Sequence, residues 1–497
     1  MIGALGMSRV LVVLTLLLSA LRAAQPSKND DISAEVKRLI DTYAIIERNA
    51  ADPVASEQAF YQGAIPGLLR RLDPHSVFFD PGQFEQLKQM QNSTSKGFGT
   101  VVSVLPGRVI VLQAMPGTPS AKSGISPGDE ILAVNNIRLD RLDLDQVVSV
   151  LSQSKQQPAR LDVRRPGSVK LLQFTLTPEE MQAPSVERIF PLRAGIGYIR
   201  VGSFDEKTGK EIKQAIEKLG GVKLKGLVLD LRNNPGGLVT AAVETSSLFL
   251  QPGQTILTIR GRHVEEKEEK VNKIAEPYAF GVAVLINGKS ASAAEIVAGA
   301  LQDHDRGAII GEPSYGKGLV ESVFPLSENT GLALTTALYY TPSGRSIQKP
   351  LHGEQFALAA TSAHPNQRSD FHTDKGRPVR GGGGIIPDFE IYAEPLSRLR
   401  TVLEGSGSFT SFATEYTRKH KITPDFEVTS ALLDSFQTYL AEREIQPGVS
   451  EWSRESSFVQ SRLKTEIFNQ GLGVEKGDEV EAQRDPQIQK ALEILGQ

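Results

Sequence analysis

Residues 282–312, VAVLINGKSASAAEIVAGALQDHDRGAIIGE, show the clearest structural pattern in the chain. An apolar run at 282–286 predicts a buried strand, and a turn rich in Ser and Ala follows it. Apolar residues at three- and four-residue spacing then predict a helix, after which GAIIGE predicts the next strand. Such a crossover unit favours a parallel sheet with helices on its faces.

The same alternation precedes this stretch. GIGYIRVGSF predicts a strand, EKTGKEIKQAIEKL a helix, GLVLDLRNN a strand and GGLVTAAVETSSLFL a helix. Ligands of open α/β sheets bind at the carboxyl ends of the strands. We therefore expect the loop after Leu231 and the loop after Ile286 to converge at one edge of the sheet.

The whole chain is predicted to be an α+β multidomain protein. Short β-rich runs separated by the turns SPGD and RPGS form a compact module before the α/β core, and helical patterns flank both. The polar stretch 351–384, which ends in RGGGG, is predicted to be an exposed loop. The predicted boundaries are a signal peptide or membrane anchor at 1–24, a helical region at 30–95, the β-rich module at 96–178, the α/β core at 185–395 and a helical region at 396–497.

The N-terminus predicts export. Arg9 precedes an apolar stretch at 10–21 that is short for a bilayer span and has the length of a signal-peptide core. The expected location is therefore the periplasm or the cell envelope. Arg22 stands where a small residue is wanted for cleavage after Ala24, so an uncleaved membrane anchor is the open alternative.

Composition excludes several classes of function. The 497 residues carry a net charge of −3, which gives no electrostatic reason to expect nucleic acid as a partner. The chain has no cysteine, so a catalytic thiolate, a cysteine metal site and disulfides are all excluded.

Two interpretations of Ser292 are open at this point. With Glu295 three residues later it forms a capping box, in which two side chains satisfy the unpaired amides of a helix start. A hydroxyl at a strand-to-helix turn is also exposed at the sheet edge, and the amide of Ala293 points outward at the positive end of the helix dipole. That amide could stabilise an oxyanion.

A nucleophilic Ser292 needs a base. His304 lies about three helical turns further along, too far from the start of the helix to contact Ser292. Lys317, in GEPSYGKGLVESV, is the remaining candidate. A lysine acts as a general base when burial or a cationic neighbour lowers its pKa from about 10.4 towards neutrality, and an exposed turn lysine is the alternative.

These residues together resemble the active-site segment of the carboxyl-terminal processing proteases, or tail-specific proteases, which are Ser-Lys endopeptidases. In that family the nucleophile is the second serine of an S-A-S run and the lysine follows in a G-K-G turn, which implies Ser292 and Lys317 here. The resemblance extends along the chain through LDPHSVFFDPGQF, TPSAKSGISPGDEILAVNN, YYTPSGRSIQ, GGGGIIPDFEI and DPQIQKALEIL.

The resemblance also implies an oxyanion hole. DLRNNPGGLV is similar to the Gly-Gly loop of the family, so the amide of Gly237, or alternatively that of Gly236, is expected to join that of Ala293. Ser290 is expected to be a turn residue. The implied acyl-transfer chemistry needs no metal and no cofactor.

The sequence departs from the family at Glu321, where a glutamine commonly orients the lysine. An offset of four on a strand places Lys317 and Glu321 on one face, so contact is expected. A carboxylate beside the amine favours its charged form, which opposes general-base work. Glu321 is therefore expected to be protonated, to swing away, or to hold the resting enzyme inactive.

The β-rich module resembles a PDZ domain. Its KGFGT corresponds to the loop whose amides receive the carboxylate of a peptide C-terminus, which implies Lys96, Gly97, Phe98 and Gly99 as peptide-binding residues. Capture of a C-terminal tail would raise its effective concentration at Ser292.

The sequence thus predicts an exported serine endopeptidase that selects proteins by an accessible C-terminus. The flanking helical regions are expected to support homo-oligomers, and an adaptor or activating partner is possible. Two alternatives remain: a catalytically inactive scaffold that binds tails through its PDZ domain, and a Ser-His hydrolase of small acyl substrates.

Overall fold

The computed structural model describes residues 28–351 and 371–496, except for residues 53, 93, 106 and 156. The predicted signal segment and residues 352–370 of the polar stretch lie outside the described residues. The chain divides into two compact units, Met1–Arg70 and Arg71–Gln497, each of which has its own internal packing. Within the described ranges, no helix combines the length and apolar character that a membrane crossing requires.

The first unit is helical over its described residues, as predicted. Helix α1 is joined to the following segment by a hydrogen bond from the Tyr43 hydroxyl to the carbonyl of Val54, and the rings of Tyr43 and Phe60 lie 5.2 Å apart. The elements are α1 Lys28–Asn49, α2 Ser56–Ala59, a π-helical turn Phe60–Ala64 and α3 Ile65–Leu69.

The second unit opens with a short strand that the sequence analysis missed. Strand β1, Val77–Phe79, precedes helix α4, Pro81–Gln91, and pairs antiparallel with residues 331–333 far along the chain. The expectation that residues 30–95 are entirely helical is therefore wrong at this point. One valine and two phenylalanines in succession favour an extended backbone once a partner strand is available.

The β-rich module is an antiparallel sheet closed by one long helix, and its core contains Val109, Val111, Val147 and Val163. Strands β2 and β9 pair with each other where the module begins and ends, and so form a two-stranded neck. The elements are β2 Thr94–Gly97, β3 Thr100–Leu105, β4 Arg108–Ala114, α5 Pro119–Lys122, β5 Glu130–Val134, β6 Ile137–Arg138, α6 Leu144–Ser154, β7 Ala159–Arg164, β8 Leu172–Leu176 and β9 Glu179–Gln182.

The α/β core contains the predicted parallel sheet together with a smaller antiparallel one. Its elements are β10 Val186–Arg193, β11 Ile196–Val201, α7 Thr208–Leu219, β12 Gly226–Asp230, α8 Val239–Ser247, β13 Thr255–Arg260, β14 Lys267–Lys270, β15 Gly281–Ile286, α9 Ala293–Asp303, β16 Gly307–Gly311, β17 Leu319–Pro325, β18 Gly331–Tyr340, β19 Phe371–His372, β20 Pro378–Val379 and β21 Phe389–Glu390.

The main sheet has the strand order β10-β11-β12-β15-β16-β21, and all of its pairs except β10-β11 are parallel. The prediction of a mostly parallel sheet is confirmed. In the second sheet, β18 pairs with β1, β13 and β17. The described part of the polar stretch is not simply an exposed loop, because β19 pairs with β20 and Val379 is buried.

The C-terminal region is helical, as predicted, and its last helix packs on the main sheet. Ile488, Ala491 and Leu492 of that helix share a core cluster with Val228 and Leu285. The elements are α10 Arg398–Gly405, α11 Ser408–Lys419, α12 Ser430–Ala441, α13 Val449–Gly471, α14 Val474–Ala482 and α15 Pro486–Leu495.

Candidate active site

The two loops predicted to converge at the sheet edge do so. The amide of Asn233 donates to the side chain of Asn287 (2.9 Å), whose amide group donates back to the side chain of Asn233 (3.0 Å). The amide of Ala291 donates to the carbonyl of Asn234 at 2.9 Å. The loop after β12 and the turn after β15 are thus fastened to each other.

The two serines of this turn have different environments. Ser290 is fully buried, and its hydroxyl donates to the carbonyl of Leu231 at 2.7 Å while accepting from the amide of Asn287 at 2.9 Å. Ser292 is partly exposed and has φ 52° and ψ −114°, which is strained for a residue with a Cβ. Such strain at a strand-to-helix turn presents a side chain at the sheet edge, so Ser292 is the serine that a substrate can reach.

Glu295 links the serine turn to the segment that carries Lys317. Its Oε2 accepts hydrogen bonds from the amide of Ser292 (2.8 Å) and from the amide of Lys317 (2.9 Å). Its Oε1 accepts from the amide of Gly316 (2.7 Å) and the hydroxyl of Ser314 (2.5 Å). One carboxylate therefore fixes the backbones of both candidate catalytic residues.

In the sequence, Glu295 has the pattern of a helix cap and nothing more. The cap interaction is present, but the contacts with residues 314–317 depend on tertiary structure and have no local signal. Glu295 is fully buried, and this burial raises its pKa, although the four donors act in the opposite direction. Tyr339 is buried beside it and donates to the carbonyl of Ser292 at 3.2 Å.

Lys317 is paired with Glu321. The lysine Nζ lies 2.8 Å from Oε1 and 3.0 Å from Oε2 of this carboxylate, and both side chains are about three-quarters buried or more, with exposed fractions of 20% and 25%. The expected contact is therefore present. No hydrogen bond between Lys317 Nζ and the Ser292 hydroxyl occurs in the described part of the chain. This arrangement is that of a charge-paired amine.

His75 is a neighbour of this pair, although its segment has no turn pattern that would mark it as a site residue. Continuing the register of β1 and β18 by two residues places His75 opposite Thr335, which lies opposite Glu321 on β17. Partial burial, and then the positive charge of Lys317, lower the pKa of His75. The motif LDPHS contained this histidine, but only the long-range pairing of β1 shows where it lies.

His304 lies far from Ser292, as the length of α9 predicted. It directly follows that helix, and its ring nitrogens contact the Asp374 carboxylate and the carbonyl of Thr255, each at 2.7 Å. Its ring thus has a structural role at the opposite end of the helix.

The backbone amides near Ser292 differ in their availability. The amide of Gly236 donates to the side chain of Asn234 at 2.8 Å. The amides of Gly237 and Ala293 have no acceptor among the described residues. Of the two glycines named from the sequence, Gly237 is therefore the one with a free donor.

The loop after β12 is anchored from the C-terminal region. Arg232 donates to both carboxylate oxygens of Asp230 and to Asp485, the cap of helix α15. Asp230 also accepts from the buried hydroxyl of Tyr198 at 2.7 Å. The position of the Gly-Gly loop therefore depends on the last helix of the chain.

The peptide-binding residues named from the sequence divide into two groups. Lys96 and Gly97 belong to β2 and pair with Glu180 and Glu179 of the neck. Phe98 and Gly99 connect β2 to β3, and neither of their amides donates to a described residue. Gly99 has φ 72°, and a Cβ there would lie 2.3 Å from Thr118. Two free amides in a tight loop are suited to a carboxylate.

Comparisons with known proteins agree with this architecture. The profile of peptidase family S41 matches residues 195–353, and that of the PDZ domain matches residues 110–165. A carboxy-terminal-processing protease of Bartonella bacilliformis is 39% identical over 305 residues, covering 59% of this chain and 68% of that protein. A carboxyl-terminal-processing protease of a Synechocystis species is 31% identical over 309 residues, covering 61% and 72% respectively.

Among solved structures, the photosystem II D1 C-terminal processing protease aligns with 71% of this chain and 91% of its own, at 25% identity and a TM-score of 0.38. The serine turn and the Gly-Gly loop lie within the range that the peptidase profile matches, and the PDZ profile matches the middle of the β-rich module. The chain belongs to the carboxy-terminal processing protease family, with a peptidase S41 core and a PDZ domain.

Proposed function

We propose that this protein is a serine endopeptidase that works through a Ser-Lys dyad on proteins with accessible C-termini. Ser292 attacks the scissile carbonyl, and neutral Lys317 takes the hydroxyl proton and later returns it to the leaving amine. The free amides of Ala293 and Gly237 hold the developing oxyanion. The observation that carries the proposal is the strained, reachable Ser292, tied through Glu295 to the backbone of Lys317.

The Lys317–Glu321 pair requires one further step. The amine contacts a carboxylate in the resting arrangement, so it has to leave Glu321 or lose its proton before it can act as a base. A bound substrate that displaces water and reorients Lys317 would cause that change. In the resting enzyme, Glu321 then holds Lys317 in an inactive arrangement.

The PDZ domain selects the substrate in this proposal. The free amides of Phe98 and Gly99 receive the terminal carboxylate, and the adjoining strand β3 pairs with the tail. The partly buried side chains of Val102 and Val104 favour an apolar tail. Tethering then raises the local concentration of the cleavage site at Ser292.

The test compares the parent enzyme with Ser292→Ala and Lys317→Ala. Each is incubated with an unfolded protein that carries either an apolar or a charged tail, and the products are identified by mass spectrometry. We expect cleavage by the parent alone, with preference for the apolar tail. Equal cleavage of both tails would refute tail selection, and cleavage by Lys317→Ala at the parental rate would refute the dyad.

The ion pair of Lys317 favours one alternative, a catalytically inactive scaffold that binds tails through its PDZ domain. A serine-directed fluorophosphonate probe separates the two functions. The endopeptidase is labelled at Ser292, whereas a scaffold with a permanently charged lysine stays unlabelled while still binding a tail peptide.

Location and assembly complete the proposal. The apolar stretch at 10–21 supports export to the cell envelope, with or without cleavage of the leader. Cell fractionation and N-terminal sequencing test this, and recovery of the intact chain in the cytoplasm would contradict it. The helical regions are proposed to mediate self-association or adaptor binding, which light scattering of the purified protein tests; a strict monomer would exclude self-association.

A further inference from the structure

A cavity between the PDZ domain and the C-terminal helices is lined by five cationic side chains. It has a volume of about 350 Å³, and none of the residues that line it takes part in the proposed chemistry. The PDZ domain contributes Arg108 and Arg164, and the helical region contributes Arg418, Lys419 and Arg443. Two carboxylates, Glu130 and Glu415, also line it.

The carboxylates of the cavity are already neutralised. Glu130 accepts from Arg108 at 2.9 Å and from Arg164 at 2.5 Å, and these two guanidinium groups lower its pKa against the effect of burial. Glu415 accepts from Arg443 at 3.1 Å. Each carboxylate is thus matched by at least one arginine, and positive charge remains.

The remaining cations are Arg418 and Lys419, in the last turn of α11. Neither makes an ion pair or a hydrogen bond with any described residue. The guanidinium of Arg418 reaches across to the PDZ domain, where a Cβ on Gly167 would lie 2.4 Å from it. Arg418 and Lys419 are both exposed, so their charges face the open cavity without a counter-charge from the described residues.

A second, smaller cavity adjoins the first and shares Arg418 with it. Its volume is about 220 Å³, and Gln470 lines it with a buried Nε2 that has no acceptor in the described structure. Buried polar groups normally have partners, so the unpaired Nε2 of Gln470, next to the unpaired and exposed guanidinium of Arg418, points to an acceptor that is supplied from outside the chain. This observation is independent of the charge count.

We propose that these cavities form a binding site for a small multivalent oxyanion that carries phosphate or carboxylate groups. Arg418 presents the planar set of N–H donors that suits such groups, and Lys419 adds a second positive charge. Because the two walls belong to the PDZ domain and the helical region, the bound anion fixes one against the other.

The site is tested by direct binding to the full-length protein. Isothermal titration with sodium pyrophosphate and, separately, with citrate is carried out at constant ionic strength, since salt alone screens such contacts. We expect saturable binding, a rise in the thermal midpoint with anion concentration, and slower hydrogen exchange on both walls of the cavity. Binding of one anion and not the other identifies which oxyanion class the site prefers.

Arg418→Gln is the decisive variant, and Lys421→Gln is its matched control. Lys421 is exposed, lies three residues further along and does not line either cavity, yet its replacement removes the same charge. We expect Arg418→Gln to weaken the affinity about tenfold or more and Lys421→Gln to leave it nearly unchanged. A Lys419→Gln variant with parental thermal stability repeats the test if Arg418→Gln proves unstable.

Two results would overturn the proposal. One is the absence of saturable binding of either anion to the parent protein at millimolar concentration. The other is equal weakening by Arg418→Gln and Lys421→Gln, which would indicate a diffuse electrostatic effect. Neither result depends on peptidase activity, so failure of this site and failure of the proposed function are distinguishable.

Discussion

Lys317 and Glu321 form an ion pair in which one amine contacts both oxygens of one carboxylate, at 2.8 and 3.0 Å. The pair lies mostly out of solvent, where attraction between opposite charges is stronger than in water. Its position matters because the same amine is the candidate base for Ser292. The first prediction follows from this conflict.

Replacement of Glu321 by Gln is expected to leave activity equal or to raise it by up to about tenfold near neutral pH. The substitution keeps a hydrogen-bond acceptor for the amine while removing the negative charge beside it, which opposes its work as a base. The measurement is kcat/KM for a peptide from pH 6 to 9. The two profiles should approach each other at high pH.

Glu328→Gln serves as the control for that experiment, because Glu328 is exposed in the turn of the same hairpin. Its profile should overlie that of the parent. A collapse of activity in Glu321→Gln would show that the carboxylate contributes directly to catalysis.

Glu295→Gln is expected to lower both activity and stability. Each oxygen of Glu295 accepts a hydrogen bond from at least one backbone amide, so every orientation of Gln places its NH₂ group against an N–H donor. Loss of a buried hydrogen bond costs about 1–3 kcal/mol, so kcat/KM should fall at least about tenfold and the thermal midpoint should drop. The exposed Glu276→Gln is the control. Parental kinetics in Glu295→Gln would show that the link between the two backbones is dispensable.

His75 is expected to make stability depend on pH on the acid side of neutrality. Its pKa is lowered in the folded protein, so the unfolded chain binds the proton more readily below the ordinary value of 6.5. Stability should therefore fall as the pH decreases from 6.5 towards the lowered pKa. Urea unfolding of the parent and of His75→Gln at pH 5 and pH 7.5 measures this, and the variant should lose less stability between the two. An equal loss of stability in the parent and in His75→Gln would show that groups other than His75 cause the pH dependence.

Gly236→Ala is expected to abolish activity in a protein that still folds. Gly236 has φ 99°, and an added Cβ would lie 2.8 Å from the Cβ of Ser292 and 2.9 Å from the amide of Ala293. Gly253→Ala is the matched control, because Gly253 also has a positive φ of 86° but nothing within 4 Å of an added Cβ. In both variants, alanine in a left-handed backbone conformation should lower the free energy of unfolding by about 1–2 kcal/mol. Only Gly236→Ala should lose turnover. Full activity in Gly236→Ala would contradict the close approach of this loop to the nucleophile.

The features that could be predicted from the sequence are those that depend on residues close together in the chain. Apolar runs, helical periodicity and a serine turn predicted the parallel sheet and the place of Ser292, because each depends on a few neighbouring positions. Lys317 and Glu321 were expected to share a face, and they do contact each other, even though Lys317 precedes β17 and a bulge separates Val320 from Glu321.

The features that could not be predicted depend on distant segments. Glu295 has the sequence pattern of a helix cap, because its contacts with Ser314 and Gly316 join residues 19 and 21 positions apart. His75 lies near the site because β1 pairs with β18. This pairing could not be predicted, since β1 has only three residues and is flanked by helical patterns. The anchoring of Arg232 by Asp485 likewise joins a loop of the α/β core to the C-terminal helical region.

The pairing of β1 with β18 also decides how the enzyme can be divided. Residues 195–353, which the peptidase profile matches, lack β1, strand β21 and helix α15. They also lack β10, so a fragment cut to that range would leave the backbone groups of β11, β16 and β18 open along three sheet margins, and unpaired margins of this kind promote aggregation. A minimal catalytic fragment therefore has to keep residues 71–92 and the C-terminal segment, with the PDZ domain as the removable insertion between them.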